Sequence, residues 1–203
     1  LASGYNNVSP GSGRGYLYVL DAVTGALLEK IDTLAGDTAT PSGLAKISVW
    51  ANSGNTDNTG LRVYGGDLLG NVWRFDLTTT PSSVMRIAAL KDASGKPQSI
   101  TTRPELGDVQ GYPLVFVGTG RYLGVGDLSD PATLVPPQPY SYQQSMYGFR
   151  DTQSDLGDLR AGGQLVQQTI TQTDSVTRKV SSNPVDWSTD KGWFVDFNPG
   201  NLS

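Results

Sequence analysis

Residues 62–77, which read RVYGGDLLGNVWRFDL, decide the fold. The second half of this stretch alternates with a period of two, so that Trp73 and Phe75 fall on one face of a half-buried strand. Gly70 tolerates a positive φ, and the Asp67 carboxylate can accept hydrogen bonds from turn amides. The glycines could also suggest a phosphate-binding loop, but that loop needs a helix to follow it, and none is indicated. We therefore predict a β-hairpin.

Two further segments resemble this strand and its turn. LYVLDAVTG, VWRFDLTTT and MYGFRDTQS each place an aromatic or aliphatic pair before an aspartate and a turn rich in Thr and Ser. Asp21 aligns with Asp76, 55 residues later, which is slightly longer than the roughly 40–50 residues of a propeller blade. The repeat favours an all-β fold of the β-propeller type, with a β-sandwich as the alternative. The repetition of Asp21, Asp76 and Asp151 indicates a structural role for these acids.

Composition excludes several classes of function. The chain has 203 residues, a net charge of −4 and neither Cys nor His, so a Ser-His-Asp triad, a Cys nucleophile and a Cys/His zinc site cannot be built. No basic cluster is present to attract nucleic acid. The longest uncharged apolar run is too short to span a membrane. Because the chain starts in LASGYNN and ends in NPGNLS, without an initiator Met or a signal peptide, we expect it to be an excerpt of a longer protein.

The rest of the chain reads mainly as short strands separated by turns, within one domain that spans residues 1–203. GLAKISVWA suits either a helix or a strand. Residues 128–144 are rich in proline and cannot form a central strand, so we treat them as an insert. Residues 152–190 form a second, polar insert, in which QLVQQTITQT predicts a strand or a hairpin. Arg74 and Arg150 adjoin aromatic residues, and we expect them to pair with acids or to stack on rings.

The run NSGNTDNTG, just before the deciding stretch, is the candidate metal site. Ser53, Asn55 and Asp57 place oxygen-bearing side chains at alternate positions, as in loops that wrap a hard cation such as calcium. Only Asp57 is charged, and no Glu follows to complete the ligand set. The chemistry of the residues alone favours a solvated turn, and one carboxylate would give a calcium affinity of about millimolar.

Six segments, in order, resemble the PilY1 family of bacterial type IV pilus biogenesis proteins, which is related to the neisserial PilC adhesins. They are GYLYVLDAVTGALLEKI, GLAKISVW, RVYGGDLLGNVWRFDL, VFVGTGRYLGVGD, SMYGFRD and VDWSTDKGWFVDF. The resemblance covers nearly the whole chain, and YGGDLLGNVWRFDL is its most specific part. It implies that the chain is part of a C-terminal, modified β-propeller with quinoprotein-like repeats, whose remaining strands lie beyond residue 203.

The resemblance also implies a function. A member of this family would be a non-enzymatic, extracellular protein at the cell surface or pilus tip, associated with the outer membrane. It would oppose pilus retraction, take part in twitching motility and mediate adhesion. Pilins or minor pilins, and a host or abiotic surface, would be its partners.

Members of the family carry a calcium loop directly before the deciding stretch. Its ligand positions fall here on Ser53, Asn55, Asp57 and Leu61. Asn55 and Asp57 can ligate calcium, whereas Ser53 is a poor substitute and Leu61 cannot ligate through its side chain. We therefore expect calcium binding at this loop to be lost or strongly weakened.

Two other functions remain open at this point. LDAVTGALLEK also looks like the repeats of quinoprotein dehydrogenases, although the Trp that usually stands near the position of Glu29 is absent, so no quinone cofactor is expected. A glycan-binding or protein-binding propeller unrelated to pili would use the loops at one end of the fold, including residues 128–144.

Overall fold

The computed structural model describes residues 1–5 and 7–197, and within them almost all regular structure is β-strand. Residues 198–203, which the sequence suggests to be a loop, lie outside the described residues. The strands are β1 Tyr16–Leu20, β2 Leu27–Asp32, β3 Ile47–Trp50, β4 Arg62–Gly66, β5 Asn71–Asp76, β6 Ser83–Ala89, β7 Glu105–Val109, β8 Tyr112–Gly118, β9 Gln144–Arg150, β10 Leu165–Gln168, β11 Ile170–Gln172, β12 Arg178–Val180 and β13 Gly192–Phe197.

Three sheets follow one another along the chain. The first sheet is the antiparallel pair β1–β2, and the second is the antiparallel meander β3-β4-β5-β6. The third has the order β7-β8-β9-β13-β10, in which only β10 runs parallel to its neighbour β13. A separate hairpin, β11–β12, projects from the second insert. Four-stranded antiparallel meanders of this kind are the unit of a β-propeller, as the sequence predicts.

The deciding stretch forms the β4–β5 hairpin. Val63 pairs with Phe75 and Gly65 pairs with Trp73 across the two strands. Gly70 has a φ of 78°, and a Cβ there would lie 2.5 Å from the carbonyl oxygen of Leu90, so only glycine fits the turn.

The prediction that this strand is half-buried is wrong, although its two faces are assigned correctly. Trp73 and Phe75 lie on one face and Val72 on the other, and all three are buried. The second sheet lies between the first and the third, so both faces of β5 are covered by protein.

Two hydrophobic clusters join the three sheets. The cluster between the first and second sheets is built around Leu17, Ile31, Leu44, Val63, Trp73 and Phe75. The cluster between the second and third sheets is larger and includes Tyr64, Val72, Ile87, Leu90, Ile100, Val115, Val117, Tyr147, Phe149 and Phe194. Face-to-face packing of sheets through large apolar side chains supplies most of the driving force for this fold.

The two inserts and the ambiguous segment take the forms that their composition allows. GLAKISVWA contributes strand β3. The proline-rich insert contains 3-10 turns, including Pro131–Thr133, and no strand before β9 starts at Gln144. QLVQQTITQT supplies β10 and β11, and the predicted hairpin is β11–β12. No helix in the described part of the chain is long and apolar enough to cross a membrane.

Candidate functional site

The predicted metal loop connects β3 to β4 at one end of the second sheet. Trp50 and Arg62 form the last residue pair of these strands, and the loop projects beyond them. Residues 52–59 are all exposed to solvent. The carbonyl oxygen of Ser53 accepts hydrogen bonds from the amides of Thr56 and Asp57, both at 2.8 Å. The loop is therefore closed by its own backbone.

Asp57 is the charged residue of the loop, and its carboxylate already has partners. Oδ1 accepts hydrogen bonds from the amide of Thr59 at 2.9 Å and from the hydroxyl of Thr59 at 2.6 Å. The hydroxyl and the amide hold the pKa of Asp57 below its usual value. The backbone brings Ser53 and Asp57 together as a β-bridge, and Asn55 lies between them in the chain.

The donor set of this loop does not fit a tight calcium site. Leu61 lies at the fourth predicted ligand position, and its carbonyl oxygen accepts the amide of Leu77 while its amide bonds Trp50. Throughout residues 1–5 and 7–197, no three or more Asp, Glu, His or Cys side chains are grouped so that they could hold a metal ion. A loop with one carboxylate lacks the charge and ligand number that strong calcium sites use.

Asp67 supplies the carboxylate of the β4–β5 turn and is fully buried. It accepts four hydrogen bonds, from the amides of Leu69 and Asn71, the Asn71 side-chain amide and the Trp73 indole, all between 2.8 and 2.9 Å. Burial raises the pKa of Asp67 to about 6, although the hydrogen bonds from Asn71 and Trp73 oppose that shift. The local amide bonds were predicted, whereas the burial and the indole contact were not.

Asp151 links the second and third sheets at the end of the interface near the metal loop. Its fully buried carboxylate accepts a hydrogen bond from the Tyr64 hydroxyl at 2.7 Å and pairs with Arg74 at 3.2 Å. One of its oxygens also accepts the amide of Gln153 at 2.7 Å. Burial, followed by the charge of Asp151, raises the pKa of Tyr64. Asp151 therefore does more than close a turn. The Asp21 carboxylate, by contrast, accepts hydrogen bonds from Val23 and Thr24 of its own turn and from no other residue that the structure describes.

A second polar network lies at the opposite end of the same interface. Arg160 donates to the Tyr147 hydroxyl at 2.8 Å and to Ser145 at 2.9 Å, and it pairs with Asp196. Its guanidinium carbon lies 4.2 Å from the centre of the Phe194 ring. Burial alone would lower the pKa of Arg160, but the hydrogen bond to Asp196 and the neighbouring Tyr147 raise it.

Comparison with known proteins assigns the family. The profile described as "PilY1 beta-propeller domain" matches residues 1–182. The chain belongs to the PilY1 β-propeller family. A type IV pilus biogenesis factor PilY1 homolog from Xylella fastidiosa is 30% identical over 97% of this chain, and PilY1 of Pseudomonas aeruginosa is 29% identical over 96%. The chain spans 14% and 19% of the lengths of these two PilY1 proteins.

The fold agrees with a solved PilY1 structure. The crystal structure of the Pseudomonas aeruginosa PilY1 C-terminal domain superimposes with a TM-score of 0.78 at 27% identity. The match covers 97% of this chain and 47% of that chain. The predicted all-β, modified propeller is confirmed. The strand orders of the described sheets are open, without a closed ring, as expected for part of a propeller.

The sequence does not reveal all the partners that join the sheets of this chain. The interaction of Arg74 with an acid was predicted, as was the stacking of Arg150, whose guanidinium carbon lies 4.9 Å from the centre of the Tyr112 ring. The network around Arg160 was not found, because it is distant along the chain from Tyr147 and Asp196. The insert also carries Arg178, Lys179 and five aspartates, so no signal in the sequence singled out Arg160.

Proposed function

We propose that this chain is a non-enzymatic part of a type IV pilus biogenesis factor that regulates pilus extension and retraction, twitching motility and surface attachment. One observation carries the proposal. The PilY1 family profile covers residues 1–182, and the relatives that match almost the whole chain are described as type IV pilus biogenesis factors. We propose that residues 1–203 form part of a single C-terminal domain of that factor.

A gene deletion tests the role in pili. We expect cells without the whole protein to lose surface pili and to form smaller twitching zones, and we expect the intact gene to restore both. Pili are counted by electron microscopy of sheared and intact cells. Normal piliation together with normal twitching in the deletion strain would contradict the proposal.

Partners and location follow from the same family membership. We propose that pilins or minor pilins bind the protein, that a host or abiotic surface is the target of attachment, and that the protein is extracellular, at the cell surface or pilus tip, and associated with the outer membrane. We propose that nucleic acid is not a partner, because the sequence has a net charge of −4 and no basic cluster. Cross-linking on intact cells, followed by mass spectrometry of the pilus fraction, tests these partners.

We further propose that calcium binds the loop at residues 51–60 only weakly, with a dissociation constant of about millimolar. Support comes from the single carboxylate of Asp57 and from the hydrogen bonds that Thr59 donates to it. Calorimetric titration with calcium measures the affinity, with Asp57→Ala as the test variant and Asp21→Ala, another exposed turn carboxylate, as the matched control. A micromolar signal that only Asp57→Ala abolishes would overturn this proposal.

We propose that this chain does not catalyse a reaction with a quinone cofactor. Glu29 lies near the position where quinoprotein repeats carry a Trp, and its carboxylate accepts the amide of Ser82 at 3.0 Å, which joins the first and second sheets. The residue therefore has a structural partner in this chain. Dye reduction after adding a quinone cofactor and calcium would contradict the proposal.

A further inference from the structure

A shallow cleft of about 350 Å³ lies between the second and third sheets, beside the metal loop. Trp50 and Arg62, the last pair of β3 and β4, form one side. Asp108 and Tyr112, which flank the turn between β7 and β8, form the other, and Gln153 lies at the edge. The volume is at the small end of the range for ligand pockets, roughly 300–1,000 Å³.

Arg62 is the unusual residue of this cleft. Its side chain is only 19% exposed, and the acid that pairs with it is Asp76, whose Oδ2 lies 3.8 Å from Nε. That distance is too long for a hydrogen bond. The other oxygen of Asp76 is taken by Thr78. The buried Nε has no hydrogen-bond partner in the described part of the chain, and a buried donor without an acceptor is costly.

Among the other arginines at this interface, Arg74 also has a buried Nε without a hydrogen-bond partner in the described residues, but Arg74 and Arg160 each have an acid closer than the one beside Arg62. Arg74 pairs with Asp151, and Arg160 pairs with Asp196. Arg160 lines a larger cleft, of about 570 Å³, in which its guanidinium already pairs with Asp196 of the same lining. In the described part of the chain, the guanidinium of the smaller cleft therefore has no acid within hydrogen-bond distance, whereas that of the larger cleft has one.

The aromatic and polar side chains that line the smaller cleft indicate the class of ligand that would bind the guanidinium of Arg62. The Trp50 indole N–H donates a hydrogen bond to Asn52 Oδ1 at 2.9 Å, which orients the ring. Tyr112 is 42% exposed, with the Arg150 guanidinium over its ring at 4.9 Å, so the rest of the ring is open to a ligand. Two aromatic walls suit the C–H face of a sugar ring, and the carboxylate of Asp108 and the amide of Gln153 are acceptors and donors suited to hydroxyl groups.

We propose that this cleft binds a carboxylated sugar, a hexuronate unit, with its ring against Trp50 and Tyr112 and its carboxylate on Arg62. The planar guanidinium matches a carboxylate with two parallel hydrogen bonds. A peptide carboxylate would also reach Arg62, but it has no sugar ring to lie against Trp50 and Tyr112 and no ring hydroxyl groups for Asp108. The site goes beyond the proposed pilus function, and its test does not involve pili.

Binding to the purified chain is measured by NMR titration with D-glucuronate, D-glucose and acetate. Glucose has the ring without the carboxylate, and acetate has the carboxylate without the ring. We expect D-glucuronate to bind at least about tenfold more tightly than either. No saturable binding of glucuronate would overturn the proposal. Equal binding of acetate would overturn it in favour of a general carboxylate site, such as one for a peptide.

Variants locate the binding. Arg62→Gln should reduce glucuronate affinity to that of glucose, and Tyr112→Ala should weaken both sugars. Arg86→Gln is the matched control, because Arg86 lies on β6 and pairs with Asp155 outside the cleft. Unchanged affinity in Arg62→Gln, or binding that a calcium chelator abolishes, would refute the site. If Arg62→Gln does not fold, the exposed Tyr112→Ala and the three-ligand series decide.

Discussion

Asp67 and Asp57 lie ten residues apart and perform the same local task in different surroundings. Each carboxylate accepts the amide of the residue two positions later, which closes a turn. Asp67 is fully buried and receives four hydrogen bonds, whereas Asp57 is exposed and receives two, both from Thr59. The turn chemistry is shared, so the burial of the surrounding sheet decides what each residue contributes.

The pKa values of the two residues shift in opposite directions for this reason. Burial raises the pKa of Asp67 to about 6. At Asp57 the hydrogen bonds from Thr59 dominate and lower the pKa. The backbone of Asp67 also connects sheets, since its carbonyl oxygen accepts the amide of Ile100, which precedes the third sheet. Asp67 is thus a central part of the fold, whereas Asp57 belongs to an exposed loop in which residues can be substituted.

The largest effect is expected for Asp67→Ala. The substitution leaves the buried indole of Trp73 and the side-chain amide of Asn71 without their acceptor, as well as two backbone amides. Each unsatisfied buried donor costs about 1–3 kcal/mol, so we expect the free energy of unfolding to fall by about 3–5 kcal/mol. Urea denaturation followed by tryptophan fluorescence measures this. A loss below about 1 kcal/mol would mean that the turn forms without its carboxylate.

The pH dependence of stability sharpens the contrast. The folded-state pKa of Asp67 is about 6, above the roughly 3.9 of an unfolded aspartate. Between about pH 4 and pH 6, Asp67 therefore binds a proton more tightly in the folded state than in the unfolded state. The stabilisation from this raised pKa is fully present below about pH 4. It is lost as the pH rises through 6, which lowers the free energy of unfolding by up to about 3 kcal/mol.

Asp67→Asn isolates this effect from the other carboxylates, which titrate in both proteins. The stability of the wild type relative to Asp67→Asn should decrease between pH 4 and pH 7. A carboxyl NMR titration of Asp67 in the wild type gives the same pKa without any variant. A pKa near 4 by NMR would contradict the raised value and show that the four hydrogen bonds fully offset burial.

Tyr64→Phe extends the comparison to Asp151, a buried carboxylate between sheets. Removing the hydroxyl leaves Asp151 with Arg74 and the amide of Gln153. A hydrogen bond to a charged group contributes about 1.5–3 kcal/mol, so we expect a loss of about 2 kcal/mol in urea denaturation. Tyr18→Phe is the control, because Tyr18 is a strand tyrosine at the edge of the first sheet. Equal losses in both variants would show that the contact with Asp151 adds nothing.

The sequence predicts the β4–β5 hairpin because the signals involved are local: a period of two, a turn aspartate and a glycine at positive φ. It does not predict that both faces of β5 are buried, since alternation shows on which side each residue lies and not whether that side is covered. Contacts such as Tyr64–Asp151, 87 residues apart, depend on how whole sheets stack. The unpartnered Nε of Arg62 cannot be predicted from the sequence for the same reason.

The smallest effect is expected for Asp57→Ala. The carboxylate is exposed, and water can replace it as the acceptor for the amide and hydroxyl of Thr59, so the urea midpoint should not change measurably. We expect the urea midpoint of Asp57→Ala to equal that of the wild type both with and without millimolar calcium. A loop with one carboxylate binds calcium too weakly for the ion to stabilise the folded state. A calcium-dependent rise in midpoint that occurs in the wild type and in Asp21→Ala but not in Asp57→Ala would mean that the loop holds calcium with ligands beyond its one carboxylate.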